Sequence, residues 1–318
     1  MIEKRIAAKA AYWYYTKGLT QGEIAEKLGY SRQRVNKMIS SLVSGGVVEI
    51  VINGLDDPAV LLELKLERAF SLDQVVVADC AEDGGPTLAG LGKKAALFLD
   101  DYIQDGKVIG VSWGNTLSET IRNVRVFSKK NCSVVQLVGG LSTSEQAIKP
   151  DEIVRMLAQK FDCGYNMLYA PAIMHSAQAR QVLSQQEMLK ETFERIEQCD
   201  IVIAGIGQVD KSATLVHRGY LQCDEVNEML SQGYVGDICL NHFKTDGSLG
   251  KHSLSDRVMG VDMDTLKRIP AVIAIAGGEN KVQAVLGALN TGCVDVLITD
   301  TALAAKLGQI VDSQAGAH

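Results

Sequence analysis

The chain has 318 residues, 47% hydrophobic and 22% charged, with a formal net charge of −6. That length suits two domains, and the composition excludes wholesale disorder. No run of about 18 apolar residues is present to cross a membrane. Charge is unevenly spread: residues 1–55 hold eight Lys/Arg against four Asp/Glu, and the remainder holds 24 against 34. A basic head on an acidic body marks the end that suits a polyanion. The seven cysteines form no C-x-x-C or Cys/His cluster, so neither a zinc site nor a disulfide framework is expected. Lys4, Arg5 and Lys9 fall inside a helical pattern with no apolar signal core, so the expected location is the cytoplasm.

In chain order, a helix is expected over 3–16, ended by Gly18. Thr20 and Glu23 have capping-box spacing ahead of a short helix through Gln21, Ile24, Ala25 and Leu28. Gly29 supplies a tight turn and Ser31 an N-cap for a third helix. Val35, Met38, Ile39, Leu42 and Val43 make its inner stripe. Gln33, Lys37, Ser40 and Ser41 face outward, flanked by Arg34 and Asn36, with Arg32 in the first turn. Arg suits guanine edges, Asn and Gln suit adenine, and Lys suits phosphate. After Gly45-Gly46, VVEIVI is expected to be a strand, the wing of a small all-α winged helix-turn-helix. Such units read palindromic sites as dimers, so a homo-oligomer is expected.

Asn53–Pro58 is a turn and linker, and places the boundary between domains 1–56 and 57–318. A short amphipathic helix follows at 59–70 (Val60, Leu64, Leu66, Phe70). Six Val/Ile-rich runs then alternate with helical stretches: 75–79, 107–112, 133–138, 200–207, 271–278 and 294–300. This predicts an α/β body with a parallel, Rossmann-like sheet, whose ligands belong beyond the strands' carboxyl ends. Those ends carry glycines in Gly110-Val-Ser-Trp-Gly-Asn-Thr116, Gly139–Thr143, Gly205-Ile-Gly207 and Gly277–Lys281. Glycine admits an anion to the backbone, helix N-termini add N–H donors, and Lys281 adds a cation. No P-loop or G-x-G-x-x-G is present. Gly110-x-Ser112-x-Gly114 has the outline of a nucleophile elbow, but no histidine stands in a triad context. Asp237 reads either as an acceptor for ligand hydroxyls or as a helix N-cap.

These stretches together resemble the SorC family of sugar-sensing bacterial transcriptional regulators, and are similar to its LsrR-like members. The resemblance rests on Gly18–Gly29, Ser31-Arg-Gln-Arg-Val35, Gly110–Thr116, Val235-Gly-Asp-Ile238 and Ala276–Lys281, and runs over nearly the whole chain. It implies a sugar-phosphate-isomerase-like effector domain that binds a phosphorylated sugar or polyol without converting it, and dimers or tetramers on operator DNA, as a repressor. It implies that Ser112, Gly114, Asn115 and Thr116 cradle the phosphate with Gly140 and Leu141, that Asp237 holds hydroxyls, and that Lys281 adds positive charge. Thr20, Gln21, Ser31, Arg32, Gln33, Arg34, Asn36 and Lys37 are the implied DNA contacts. Some wider relatives carry a Lys before the glycine pair and bond covalently to an aldehyde sugar. Val138 stands there here, which implies reversible, noncovalent binding; separately, no cofactor or metal is expected. Two competing readings are a sugar-phosphate isomerase or lyase using Asp237 and Lys281 as acid and base, and a structural DNA-binding protein with no ligand.

Overall fold

A computed structural model describes residues 2–78, 88–140, 150–210 and 223–316. Its contacts divide the chain into two compact units, Met1–Asp56 and Asp57–His318.

The first unit is helical. α1 (Ile2–Ala11) passes into a π-helical turn (Tyr12–Thr16), rather than continuing as the single α-helix expected over 3–16. α2 (Gln21–Leu28) and α3 (Arg32–Ser40) follow. Thr20 closes the capping box: Glu23 N–H donates to its Oγ1 at 3.3 Å, and Thr20 N–H donates to Glu23 Oε2 at 2.8 Å. Gly29 (φ +66°) takes the left-handed conformation that ends α2, with Tyr30 N–H donating to the Ala25 carbonyl at 3.0 Å. Ala10, Ala11, Ile24, Ala25, Val35, Ile39 and Leu42 form a small core. Two expectations fail. Val43 is exposed, because α3 stops at Ser40 and the chain turns before the stripe reaches it. Residues 47–52 form no strand, because no segment of this unit offers a ladder partner.

The second unit is an α/β body. α4 (Pro58–Phe70) buries Leu66 and packs Ala59, Leu62 and Phe70 against the core. Leu64, expected on that face, is exposed. The strands are β1 (Gln74–Ala78), β2 (Val108–Val111), β3 (Ser133–Gln136), β4 (Gly164–Asn166), β5 (Ile201–Gln208), β6 (Tyr234–Ile238), β7 (Asn241–Lys244), β8 (Ala271–Ile275) and β9 (Val296–Asp300). The parallel order is β1-β9-β8-β5-β2-β3-β4, with β6 and β7 added antiparallel at the end of β5. The helices are α5 (Leu88–Tyr102), α6 (Asn115–Asn123), α7 (Pro150–Phe161), α8 (Ala177–Ser184), α9 (Glu187–Glu197), α10 (Cys223–Ser231), α11 (Met263–Leu266), α12 (Val282–Asn290) and α13 (Thr301–Ala315).

Alternate strand residues sort to opposite faces. Val75, Val77, Val202, Ala204, Val272 and Ala274 join one core with α4, α12 and α13. Val76, Ile201, Ile203, Ile273 and Ile275 join another with α5, α6 and α7. Burial on both sides explains why these strands read as continuous apolar runs. From β2 the chain builds outward through β3 and β4, whereas β5 builds the other way through β8 and β9. The carboxyl ends of β2 and β5 therefore flank the topological switch point, where open α/β sheets leave a crevice.

Candidate functional site

The loops after β2 and β5 bound a cleft of about 160 Å³, lined by Ser112, Trp113, Gly114, Asn115, Thr116, Gly205–Gln208, Asp237, Cys239 and Lys281. Ser112 follows β2, anchored by its N–H to the Ile203 carbonyl at 3.0 Å. Gly114 is the N-cap of α6 with φ +137°, a conformation that favours glycine, and no side chain caps the helix. Its first-turn amides at Asn115 and Thr116 are thus free of side-chain competition for an anion.

β5 runs past the parallel sheet and pairs with β6, which sets Gly207 directly opposite Asp237. A Cβ on Gly207 would lie 2.0 Å from Asp237 Oδ1, so this glycine makes room for the carboxylate. Asp237 Oδ2 accepts from the Leu240 N–H at 3.0 Å. It lies in β6 and caps no helix, which removes that alternative. Burial pushes its pKa up to about 6, opposed by the Leu240 hydrogen bond and the Lys281 charge. Lys281 enters from the turn before α12 and donates to the Ile206 carbonyl at 2.9 Å. Burial lowers its pKa, opposed by Asp237 and Asp210. The Cys239 thiol is pushed up to about 12 by burial, despite a hydrogen bond with Ser112. At the cleft edge, Asn280 Nδ2 donates to Gln208 Oε1 at 3.1 Å.

Ser112, Gly114, Asn115, Thr116, Asp237 and Lys281 therefore converge. Gly140 does not join them. Its N–H donates to the Ala170 carbonyl at 2.7 Å and its carbonyl accepts from Ala172 at 2.8 Å, so both backbone groups are spent away from the cleft. Leu141 lies outside the described residues. Gly278 is also committed: its N–H donates to Asp300 Oδ2 at 2.6 Å, and the same carboxylate caps α13 through Leu303 N–H at 2.8 Å. Cys239 was missed by sequence reasoning, since only the β6–β7 turn brings it to the cleft. Composition left Gln208, Tyr169 and Met174 open as either pocket or packing residues: Gln208 lines the cleft, whereas Tyr169 is exposed and Met174 packs against the Leu168, Ala170, Leu189 and Met259 cluster.

In the helical unit, Arg32, Gln33, Arg34, Asn36 and Lys37 are all exposed on α3. The Arg34 guanidinium stacks on Tyr30, 4.0 Å from the ring centroid. Gln21 is half-buried. Thr20 and Ser31 act as N-caps, Ser31 accepting from Arg34 N–H at 3.3 Å.

An exposed polar helix behind a tight turn, joined to an α/β body with a crevice at its switch point, defines a DNA-binding regulator with a small-molecule domain. Residues 58–307 match the family described as "Putative sugar-binding domain", and residues 16–49 match "Winged helix-turn-helix DNA-binding". The erythritol catabolism regulatory protein EryD of Brucella abortus is 30% identical over 96% of this chain and 96% of its own. The deoxyribonucleoside regulator of Bacillus subtilis is 28% identical over 94% and 95%. The full-length sorbitol operon regulator SorC of Klebsiella pneumoniae superposes with a TM-score of 0.74 at 25% identity, covering 97% of this chain and 100% of that one. The chain belongs to the SorC family of sugar-binding transcriptional regulators. These relatives are regulators rather than enzymes, so the isomerase or lyase reading is set aside.

Proposed function

We propose that this regulator is a cytoplasmic repressor that binds operator DNA as a dimer or tetramer through residues 1–56 and senses a phosphorylated sugar or polyol through residues 57–318. Arg32, Gln33, Arg34, Asn36 and Lys37 meet the duplex, while Thr20 and Ser31 hold the helices that present them. The phosphate sits at the α6 N-terminus beside Ser112, Gly114, Asn115, Thr116 and Lys281, and Asp237 accepts hydroxyls. The observation that carries this reading is the convergence of an uncapped helix N-terminus, a half-buried lysine and a half-buried carboxylate on one cleft. An anion next to a hydroxyl acceptor is the charge pattern of a phosphorylated polyol. Val138 is buried and has no amine, which supports noncovalent binding.

Regulation follows from linkage. A ligand that prefers one quaternary arrangement shifts its population by the difference in affinity and no more. A coupling of about 1–3 kcal/mol changes operator affinity roughly 5–150-fold. The experiment measures operator affinity and melting temperature with tetritol, pentose and hexose phosphates, and with their unphosphorylated forms. Stabilisation by a phosphorylated form together with weakened operator binding is expected. Tight ligand binding with unchanged operator affinity rejects the regulatory role, and equal effects of the unphosphorylated forms reject the phosphate site.

A further inference from the structure

Residues 47–52, VVEIVI, belong to no helix or strand and lie near the end of the helical unit. Ile50, Val51 and Ile52 are 56%, 77% and 61% exposed, an unusual run of β-branched surface. The main chain is open as well. Val47 and Val48 N–H both donate to the Leu42 carbonyl, at 2.9 and 3.1 Å, and the Ile52 carbonyl accepts from Leu55 at 3.3 Å. Between them, among the described residues, the N–H and C=O groups of Glu49, Ile50 and Val51 have no backbone partner. Unpaired main chain beside exposed β-branched side chains invites a strand partner. The unit holds no strand of its own to supply one. At the body's β1 edge, Val75 and Val77 N–H already donate to Glu67 and Glu63, at 2.9 and 2.8 Å.

We infer that this segment pairs antiparallel with the same segment of a second copy, so that the wing is a two-stranded ribbon shared by two chains. The groups already spent select the register. With Ile50 opposite Ile50 as a non-hydrogen-bonded pair, the ladder uses the N–H and C=O groups of Glu49 and Val51, four bonds in all. It makes no demand on Val48 N–H or the Ile52 carbonyl. On one face Val48, Ile50 and Ile52 meet Ile52, Ile50 and Val48, all apolar. On the other, Glu49 faces Val51, so the two carboxylates are not opposed. A ribbon this short is marginal alone, and needs the two copies to be held together already. It requires an oligomer but neither operator recognition nor a sugar ligand, so its failure is distinguishable from theirs.

The test is disulfide trapping of the full chain under mild oxidation, in a Cys80→Ser/Cys223→Ser background; Cys223 is the exposed thiol among the described residues, and Cys80 lies outside them. Non-hydrogen-bonded antiparallel pairs place Cα atoms within disulfide reach. Ile50→Cys is expected to give the covalent dimer about tenfold faster than Val51→Cys, which the register offsets, or Val126→Cys, an exposed control on the body. Adding Val51→Pro, which removes a ladder donor, should bring Ile50→Cys down to the control rate with far-ultraviolet circular dichroism unchanged. Equal trapping rates at 50, 51 and 126, or trapping at 50 that survives the proline, overturns the pairing.

Discussion

Two glycines on one strand test how the carboxylate is seated. Gly205 and Gly207 both line the cleft from β5. A Cβ on Gly205 finds its nearest neighbour at 3.8 Å, an ordinary contact, whereas on Gly207 it meets Asp237 Oδ1 at 2.0 Å and Cγ at 3.0 Å. The carboxylate cannot simply swing away, because Oδ2 is held by the Leu240 N–H at 3.0 Å. Gly207→Ala is therefore an overpacking substitution, costing about 1–3 kcal/mol. For a domain of this size that is a fall of roughly 2–12 °C in melting temperature. Gly205→Ala should leave melting within about 2 °C of the wild type or raise it, because alanine restricts the unfolded chain. Differential scanning fluorimetry of both variants without ligand is the assay. Equal melting temperatures, or a larger loss for Gly205→Ala, would refute the claim that Gly207 exists to admit Asp237.

The raised Asp237 pKa predicts a pH dependence. Between about 3.8 and 6 the folded chain binds more protons at this group than the unfolded chain, so its contribution falls as pH rises through that window. Asp237→Asn should therefore gain melting temperature relative to the wild type between pH 4 and pH 7; a difference that stays constant with pH contradicts the assignment. Lys281→Met removes the cation and its bond to the Ile206 carbonyl. It should abolish stabilisation by a phosphorylated effector while leaving operator affinity within about twofold, as read by fluorescence anisotropy. Lys37→Ala should lower the slope of log affinity against log salt by about one and leave effector stabilisation intact. An unchanged slope places Lys37 away from phosphate.

Much of the architecture was legible because its determinants are local. Thr20–Glu23, Gly29 and Ser31 determine caps and a turn within a few residues, and each forms in the structure. The six apolar runs became β1, β2, β3, β5, β8 and β9, since a strand buried on both faces needs no alternation to be seen. The Gly110–Thr116 loop was legible as a strand-to-helix turn, and it lies in the cleft. The edge strand β4 is only three residues long and exposed, so it carried no hydrophobic signal. The β6–β7 hairpin was silent for a different reason. Its turn places Cys239 and Leu240 at φ 53° and 63°, where turn chemistry would call for Asn or Gly. Asn241 holds that turn instead, donating to the carbonyls of Ile238, Cys239 and Val261, the last at 3.0 Å.

Sequence alone determined the two-unit order, the helix-turn-helix, the parallel sheet and the residue types able to meet an anion. Only the tertiary structure decided which glycine loops share a cleft. Gly140 and Gly278 were as plausible by composition as Gly114, yet their amides are spent on Ala170 and Asp300. The physical reason is that a backbone N–H has one proton to give, and whether it is already given depends on residues distant in the chain.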